Sequence, residues 1–523
     1  MSARIGFFSF LVLFLTIIGK NEGARILGVF PFFAPSHYIL GSTLMKGLAE
    51  AGHDVTIISP FKEKNPPKGG KWTEIIVENT LEAVMKSFPK PDLFKMEGLS
   101  GISSGISTTF LIETLTNLIT EETLKNNKIQ ELLKSNQKFD AVIITQFNVE
   151  AMKAFASHFN AHLILFSNVA ANSWLNHFVG NPSLPSFFPE ILLSFPEKMS
   201  FMQRLENTIF KLANTLYYNL YIYPKHNEFI QKYFPNPVNI DDLLYNVSLV
   251  LLNSHESISS AQPHVPCMVE IGGYHIQPPK KLPDDLQKFL DEAKEGVIYF
   301  SMGSNLKSQD LPIETREAIL KAFGKRKEKI LWKWEDDVLP GKPPNVKVGK
   351  WLPQQDILAH ANVKLFITHG GLLSTIETVY HGVPIIAIPI GGDQKMNAYG
   401  AERQGYGIVL PLREISEEKL SGLLDEVLAN PQYTNNVKER SIIMKDRQVK
   451  PMDNAVYWVE YVIRHNGAKH LRVPYLELTW YQFYLLDVLA FIIGVILTTV
   501  ILIKVTCTYF YRKRLNKTKL KKN

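Results

Sequence analysis

Short apolar runs rich in β-branched residues alternate with helix-like stretches along most of this 523-residue chain. Strands that are apolar throughout and separated by helices pack into parallel sheets with helices on both faces. The alternation therefore predicts an α/β chain built of doubly wound sheets. The runs of the first half are ILGVFPFF, HDVTIIS, FDAVIIT and HLILFS, and those of the second half are GVIYFSMGS, KILWKWE, NVKVGKW, VKLFITHG and VPIIAIP.

A segment rich in proline and lysine, HIQPPKKLPDD at 275–285, interrupts the alternation. Proline cannot continue a helix or a central strand, so we interpret the segment as a linker between two domains. We expect a first domain at 24–274 and a second at 286–450, followed by a helical segment at 451–484 that leads to a membrane. Residues 170–240 are denser in aromatic residues and prolines. We interpret them as an inserted region of helices and loops, with a role in holding an apolar ligand as a hypothesis.

Both ends of the chain carry apolar segments. Residues 1–23 contain Arg4, an apolar run and then small and polar residues, a pattern typical of a secretory signal peptide, with a retained anchor helix as the alternative. Near the other end, the charge-free run VLAFIIGVILTTVILI predicts a transmembrane helix at 485–507, because about 20 helical residues span one bilayer core. The basic tail at 508–523 is then cytosolic, which puts the body in the lumen or outside the cell.

The net charge of +7 is concentrated at the C-terminus. The last 20 residues contribute +8 and the first 23 contribute +1, which leaves −2 for residues 24–503. The folded body therefore gives no reason to expect a nucleic-acid partner. The two cysteines, Cys267 and Cys507, lie on opposite sides of the predicted membrane, so no disulfide is expected within the body. Asn246 begins the one luminal N-glycosylation sequon, and no metal site is predicted.

The stretch FITHGGLLSTIETVYHGVPIIAIPIGGDQ at 366–394 places polar groups after two apolar strands. The carboxyl ends of parallel strands open on one crevice, and ligands of doubly wound sheets bind there. Gly370 and Gly371 allow the backbone to approach a ligand closely, and the N–H groups at the following helix start suit a diphosphate. His369 supplies a further hydrogen-bond donor.

Four more polar side chains of this stretch suit a sugar nucleotide. Ser374 and Glu377 lie three residues apart on one helix face, and a capping box is the alternative interpretation. A carboxylate would repel a diphosphate, so we expect Glu377 at ribose hydroxyls instead. Asp393 and Gln394 can bind vicinal hydroxyls, with a plain Gly-Gly-Asp turn as the alternative.

Two other loops follow strands of the second half and are expected at the same crevice. The loop SMGS offers hydroxyls and a glycine to a phosphate through Ser301, Gly303 and Ser304. The loop WLPQQ offers Trp351 as a flat stacking surface for a pyrimidine base and Gln354 as a hydrogen-bonding amide. A position in the core is the alternative for Trp351.

The 366–394 block resembles, over its whole length, the signature of the UDP-glycosyltransferase superfamily, the UDP-glucuronosyl and UDP-glucosyl transferases. The likeness extends to nearly the whole chain through Pro-Ser-His in the first loop, the segment at 181–204 and both apolar ends, and it is closest to animal microsomal members, insect ones in particular. It implies two facing Rossmann-like domains of the glycosyltransferase-B type, the first for the acceptor and the second for the UDP-sugar. By the same resemblance the ligand contacts are Trp351 and Gln354 to the nucleoside, Ser304 and His369 to the diphosphate with Ser374 nearby, Glu377 to the ribose, and Asp393 and Gln394 to the sugar.

His37 follows the first strand at the predicted start of the first helix. A neutral imidazole can take a proton near pH 7, and the resemblance assigns the general base to this position, although a structural histidine is the alternative from residues alone. The family places Asp or Glu at the end of the FDAVIIT strand, where it orients the base, but this chain has Thr145. Threonine can only hydrogen-bond, and Glu150 is a candidate substitute.

Two functions of different classes follow. The first is inverting transfer of a hexose from a UDP-sugar, UDP-glucose before UDP-glucuronate, to a hydroxyl of a small lipophilic acceptor, as in detoxification or in conjugation of hormones or pigments. The UDP-sugar is a co-substrate, and no cofactor is expected. The second is a non-catalytic UDP-sugar-binding or regulatory partner, which Thr145 keeps open. A nicotinamide dehydrogenase is disfavoured because the chain has no G-x-G-x-x-G.

The predicted location is the membrane of the endoplasmic reticulum. We expect a single-pass type I protein with a luminal catalytic body and a short basic cytosolic tail. Lys519 and Lys521 resemble a dilysine retrieval signal, and attraction of a basic tail to the membrane surface is the alternative. The sequence leaves the oligomeric state open, a homo-oligomer included.

Overall fold

The computed structural model describes residues 23–78, 82, 84, 86, 94, 101–304 and 306–520. The chain divides into two compact units, Met1–Arg472, here called the body, and Val473–Asn523, the C-terminal unit. The predicted signal peptide at 1–23 lies outside the described residues except for Gly23, and so does Lys521 of the predicted retrieval signal.

The first domain of the body contains a parallel sheet of seven strands in the order β3-β2-β1-β4-β5-β6-β7. The order reverses direction at β1 and β4, so the loops after these strands flank a crevice at the carboxyl edge. The strands are β1 (Arg25–Val29), β2 (Asp54–Ser59), β3 (Lys71–Ile76), β4 (Ala141–Thr145), β5 (His162–Ser167), β6 (Leu249–Leu252) and β7 (Met268–Glu270).

The second domain contains a parallel sheet of six strands in the order β10-β9-β8-β11-β12-β13. Alternate residues of its central strands face opposite cores, with Phe300 in one cluster of buried residues and Tyr299 in the other. The strands are β8 (Val297–Ser301), β9 (Lys329–Lys333), β10 (Val346–Gly349), β11 (Val363–Thr368), β12 (Ile385–Ala387) and β13 (Gly407–Val409). The prediction of two doubly wound domains is confirmed.

Helices cover both faces of the two sheets. In the first domain the described helices are α1 (Pro35–Glu50), α2 (Gly101–Lys125), α3 (Asn127–Lys134), α4 (Ala154–His158), α5 (Ser173–Val179), α6 (Phe201–Tyr217), α7 (Tyr223–Tyr233) and α8 (Asp241–Leu244). In the second domain they are α9 (Asp284–Asp291), α10 (Ile313–Gly324), α11 (Gln354–Leu358), α12 (Leu372–His381), α13 (Gln394–Arg403), α14 (Glu417–Ala429) and α15 (Pro431–Lys445). Short 3₁₀ segments lie at Glu150–Lys153, Ser308–Asp310 and Leu412–Glu414, and a π turn joins α6 to α7 at Tyr218–Ile222.

The chain crosses between the two domains twice. The first crossing is an extended segment at 276–283, within the predicted linker. The second comes after α15, where α16 (Pro451–Arg464) returns to the first domain and packs on its sheet. Ala455, Val459 and Val462 of α16 are fully buried there. The predicted segment at 451–484 is therefore divided at Arg472, and its first part belongs to the body.

The C-terminal unit consists of a 3₁₀ turn, a short helix and one long helix. These are Pro474–Glu477, α17 (Trp480–Phe483) and α18 (Leu486–Leu520). The stretch Leu486–Thr518 is long and apolar enough to cross a membrane. The helix continues beyond the predicted limit at 507 through the basic tail, because no glycine or proline interrupts residues 504–520.

Candidate functional site

A cavity of about 500 Å³ opens between the carboxyl edges of the two sheets of the body. It is lined from the first domain by the segments after β1, β4 and β5 and by Ile112. From the second domain it is lined by the last residue of β9 and by the segments after β8, β10, β11 and β12. Of the residues predicted for a UDP-sugar, Gly370 does not line the cavity, and the other eleven line it together with His37, namely Ser301, Gly303, Ser304, Trp351, Gln354, His369, Gly371, Ser374, Glu377, Asp393 and Gln394.

The register of three neighbouring strands brings the polar loops of the second domain together. Thr368 at the end of β11 pairs with Ser301 at the end of β8 on one side and with Ala387 at the end of β12 on the other. The loops SMGS, THGG and IGGDQ therefore leave adjacent strand ends at one edge of the sheet. This is the arrangement that the strand order predicted.

The imidazole of His369 lies between two glycines of neighbouring loops. A Cβ atom built on Gly303 would lie 2.4 Å from His369 Cε1, and one on Gly371 would lie 2.6 Å from His369 Nε2. Gly303 also has a φ of +83°, which side-chain-bearing residues rarely adopt. Burial, with a smaller contribution from Lys333, lowers the pKa of His369 to about 4, so the ring is a neutral hydrogen-bonding group at physiological pH.

Lys333 brings a positive charge to the same loops. It ends β9, and its Nζ donates to the carbonyl oxygen of Gly303 at 2.7 Å and lies 3.0 Å from Glu335. The same Nζ lies 6.0 Å from the ring centre of Trp351. The indole of Trp351 is 68% exposed and lines the cavity, so its core alternative is wrong.

Glu377 is the most enclosed acid of the cavity. Its oxygens accept hydrogen bonds from Gln354 Nε2 at 2.6 Å and from Gln355 Nε2 at 3.1 Å, and Gln354 Nε2 also lies 3.0 Å from Ser374 Oγ. Burial outweighs these hydrogen bonds and raises the pKa of Glu377 to about 7. His275 Nε2 lies 3.7 Å away, but burial lowers the pKa of His275 to about 3, so this contact is not an ion pair.

The capping-box alternative for Ser374 and Glu377 is wrong. Helix α12 begins at Leu372 after the N-cap Gly371, which makes no side-chain cap, so Ser374 lies inside the helix. Its hydroxyl instead contacts the amide of Gln354, which comes from a different loop. Sequence spacing alone could not separate the two, because both place Ser and Glu on one helix face.

Asp393 and Gln394 close the cavity at the loop after β12. The Oε1 atom of Gln394 accepts from the backbone N–H groups of Ile390 and Gly391, at 2.9 and 3.2 Å. Asn397 donates to Asp393 Oδ2 at 2.9 Å and to the carbonyl oxygen of Gly370 at 3.0 Å, which ties this loop to the THGG loop. Burial raises the pKa of Asp393 despite its hydrogen bonds.

His37 faces the cavity from the first turn of α1. Its ring stacks on Phe32 at 4.8 Å between centroids and meets the edge of Phe147 at 5.1 Å. The amide of Asn168 lies 2.9 Å from His37 Nδ1 and 3.0 Å from Thr145 Oγ1. Burial lowers the pKa of His37 to about 4, so the imidazole is neutral over the physiological range.

Glu150 and Asn246 lie elsewhere. Glu150 is fully buried, 2.9 Å from Lys153 Nζ, and accepts from Gln146 Nε2 at 2.8 Å. It does not line the cavity formed by the described residues, so the structure gives no contact through which it could replace the missing carboxylate. Asn246 is exposed on the turn between α8 and β6, where a glycan would meet solvent.

Three further residues, Asn168, Lys333 and Gln355, line the cavity and were not predicted from the sequence. The carboxyl ends of parallel strands meet at one edge of a sheet, and this rule also points to two of them, since Asn168 directly follows β5 and Lys333 ends β9. Among the described residues, no group of His, Cys, Asp and Glu side chains is suited to a metal ion.

Fold and site together define a nucleotide-sugar glycosyltransferase with two facing parallel-sheet domains. The solved structure of the calicheamicin glycosyltransferase CalG4 covers 85% of this chain at a TM-score of 0.54 and 17% identity, with 99% of that chain covered. The spinosyn forosaminyltransferase SpnP covers 84% at a TM-score of 0.55, with 99% of that chain covered and 17% identity. These likenesses confirm the glycosyltransferase-B type of fold.

Residues 27–521 match the family described as "UDP-glucoronosyl and UDP-glucosyl transferase", and the chain belongs to this family of enzymes that transfer sugar from a UDP-sugar. UDP-glycosyltransferase UGT5 of Dactylopius coccus is 40% identical over 505 residues, which are 95% of this chain and 94% of that protein. UDP-glucuronosyltransferase 2B15 of Homo sapiens is 28% identical over 505 residues, 93% of each chain. The predicted family is confirmed, as is the prediction that the protein is a UDP-glycosyltransferase.

Proposed function

We propose that this enzyme transfers a hexose, with UDP-glucose as the preferred donor, to a hydroxyl of a small lipophilic acceptor with inversion at the anomeric carbon. The observation that carries the proposal is one cavity that His37 of the first domain shares with Trp351, His369 and Glu377 of the second. A base on one side and a sugar-nucleotide seat on the other are the two parts that direct glycosyl transfer requires.

The loops of the second domain hold the donor. Trp351 stacks on uracil, while Gln354 contacts the nucleoside and Glu377 accepts from the ribose hydroxyls. His369 and Ser304, with the backbone of Gly371 at the start of α12, contact the diphosphate. Asp393 and Gln394 hold the sugar hydroxyls. No metal or cofactor takes part in the proposal.

In the reaction the acceptor oxygen loses its proton to His37 and forms the bond to the anomeric carbon. The bond from that carbon to the diphosphate oxygen breaks, and its electron pair leaves with UDP. Lys333 and His369, which line the same cavity, stabilise the charge that develops on UDP. Attack opposite the leaving group turns an α-linked donor into a β-glycoside.

The charges in the cavity favour a neutral hexose over a uronic acid. The cations among its described lining residues are Lys280 and Lys333, and the Lys333 ammonium is bonded to Gly303 and Glu335. The loop assigned to the sugar presents Asp393, which would repel the carboxylate of UDP-glucuronate. UDP-glucuronate is therefore the second choice.

The acceptor side of the cavity is apolar, which supports a lipophilic acceptor of the kind conjugated in detoxification or in hormone and pigment metabolism. Its apolar lining from the first domain consists of Ile39, Ile112, Phe147, Val169, Trp174, Ile191 and Leu192. Helix α18 supports a membrane anchor, and we propose a type I protein of the endoplasmic reticulum with a cleaved signal peptide, a luminal body and a glycan at Asn246. The oligomeric state stays open, a homo-oligomer included.

The test incubates microsomes that contain the full chain with labelled UDP-glucose or UDP-glucuronate and a mixture of phenols. We expect label to move from UDP-glucose into an apolar, β-glucosidase-sensitive product. His37→Ala should lower turnover by at least 100-fold and leave UDP-glucose binding within about twofold, because general-base catalysis contributes about 10²–10⁴-fold. Turnover of His37→Ala at the wild-type rate would remove the base assignment.

A non-catalytic UDP-sugar-binding partner is the second candidate. The observation that favours it is that none of the described contacts of His37 is a carboxylate. At the end of β4, Thr145 occupies the position of the carboxylate expected from the family. Binding of UDP-glucose without transfer to any acceptor of the phenol mixture would support it against the first.

A further inference from the structure

The side-chain amide of Asn168 joins His37 to Thr145. Its Nδ2 atom lies 2.9 Å from His37 Nδ1 and 3.0 Å from Thr145 Oγ1, and only 6% of the residue is exposed. Asn253, which follows β6, donates from Nδ2 to the backbone carbonyl oxygen of Asn168 at 3.1 Å. Asn168, which follows β5, is therefore held in place by residues at the ends of β4 and β6.

The other described residues in contact with the His37 ring carry no charge. Phe32 stacks on one face of the ring, and Phe147 meets it edge-on. On the same helix as His37, the Tyr38 hydroxyl donates to the carboxylate of Glu63, which also forms an ion pair with Lys46. Across the cavity the charged and titratable lining groups are Lys280, Tyr299, Lys333, Asp356, His369, Glu377 and Asp393, and within the part of the chain that the structure describes none of them is hydrogen-bonded to His37.

We propose that Asn168 is the positioning residue of His37, with its amide oxygen accepting the Nδ1–H of the imidazole so that Nε2 receives the proton of the acceptor hydroxyl. This inference rests on the proposed function. An asparagine amide can exchange its oxygen and nitrogen by a half-turn, and the two atoms are assigned from the hydrogen-bond network. Here Oδ1 is buried with no hydrogen-bond partner among the described residues. The half-turn brings it to His37 Nδ1 and to the Thr145 hydroxyl, both of which can donate.

The half-turn matters because it selects the tautomer of the base. With Nδ2 towards the ring, Nδ1 accepts and the proton stays on Nε2, which then cannot take another. With Oδ1 towards the ring, Nδ1 carries the proton and Nε2 has a free electron pair. A hydrogen-bonded third group that fixes the tautomer is the general logic of activated histidines.

A neutral amide orients His37 but does not stabilise the imidazolium that forms during transfer. The position of His37 in the first turn of α1 also disfavours that cation, because the helix N-terminus carries positive partial charge. The substrate class follows from this weak base. The enzyme takes acceptors whose hydroxyl releases its proton readily, phenols and enols, in preference to alkyl alcohols.

The test uses full-length protein in microsomes with UDP-glucose, phenols of graded acidity and one alkyl alcohol. Asn168→Leu should lower kcat at least tenfold with the KM for UDP-glucose unchanged. Asn168→Asp should increase the rate with the alcohol relative to that with the phenols, and should move the acidic limb of the pH profile to higher pH, because a carboxylate stabilises the imidazolium. Asn176→Leu replaces another buried asparagine of the first domain and should keep the wild-type profile.

A second readout does not depend on turnover. The rate at which diethylpyrocarbonate modifies the peptide containing His37 follows the neutral fraction of its imidazole, and Asn168→Asp should shift that rate profile to higher pH. An unchanged profile in Asn168→Asp, or a wild-type kcat in Asn168→Leu, would overturn the role of Asn168. Absence of transfer in the wild type together with a shifted profile would instead remove the proposed function and keep the contact.

Discussion

At the scale of single residues, burial raises the pKa of the Glu377 carboxyl group to about 7. The folded protein therefore binds this proton more tightly than the unfolded chain, so the stability from Glu377 is fully present below about pH 4.5 and is lost as the pH rises through 7. Ribose hydroxyls that donate to the carboxylate would favour its charged form and lower that pKa.

Binding of UDP-glucose should accordingly release a proton from Glu377. We expect affinity in the absence of acceptor to rise roughly tenfold between pH 6 and 8, since the competent carboxylate becomes the main form over that interval. Isothermal titration in buffers of different ionisation enthalpy measures both effects. UDP-glucose is the probe because the terminal phosphate of UDP itself titrates near pH 6.

Glu377→Gln is the matched variant for this titration. It cannot lose a proton, so its weaker binding should show no pH dependence over the same interval. The titration of His369 does not interfere with this measurement, because its pKa of about 4 lies below the interval from pH 6 to 8. A slope that persists in Glu377→Gln would assign the titration to another group.

Trp351 should carry the affinity for the base. Its indole is 68% exposed, and stacking on uracil would cover it. Trp351→Ala should weaken UDP-glucose binding by about 1 kcal/mol or more, roughly fivefold or greater. Trp480, 69% exposed in the C-terminal unit, gives the control, since Trp480→Ala should leave affinity unchanged. Equal affinity of the Trp351→Ala and Trp480→Ala proteins would refute the stacking role.

At the scale of elements, the close packing of α1 on the loop after β1 holds His37 at the sheet edge. A Cβ atom added to Gly41 would lie 2.3 Å from the buried ring of Phe30, whereas one on Gly422 of α14 would meet no atom within 4 Å. Gly41→Ala should cost about 1–3 kcal/mol of stability by overpacking, and Gly422→Ala should gain about 0.5–1 kcal/mol. Thermal unfolding of the two variants measures the difference. If both substitutions raised the stability, the ring of Phe30 would be able to move aside without an energetic cost.

Elements and site loops differ in how far the sequence predicts them. The predicted apolar runs form parallel strands. The rule that the carboxyl ends of such strands meet at one edge correctly places the loops of the second domain around one cavity. The same rule also places Asn168, which directly follows β5, at this edge, but it does not indicate which side chain there contacts His37. Distance along the chain from Thr145 makes Glu150 a candidate, but its carboxylate lies 2.9 Å from Lys153, three residues on in the same 3₁₀ segment, where side chains at i and i+3 meet.

At the scale of the whole body, the two domains are joined by the linker and again by α16. The connection through α16 could not be predicted from the sequence, because its apolar face could pack on either sheet. The strands of the first domain on which it packs lie more than 180 residues away along the chain. Arg447, just before α16, donates from Nη2 to the carbonyl oxygen of Gly272 at 2.8 Å. Helix α16 therefore completes the core of the first domain although it follows the second.

Two truncations test that completion. A chain that ends at Lys450 lacks α16 and uncovers the sheet face that Ala455, Val459 and Val462 bury, so we expect it to aggregate. A chain that ends at Arg472 lacks only the C-terminal unit and should keep the folded body, bind UDP-glucose with wild-type affinity and leave the membrane fraction more readily than the full chain. Secretion yield, thermal unfolding and titration with UDP-glucose compare the two. If the chain that ends at Lys450 unfolds at the same temperature as the longer one, α16 contributes nothing to the body.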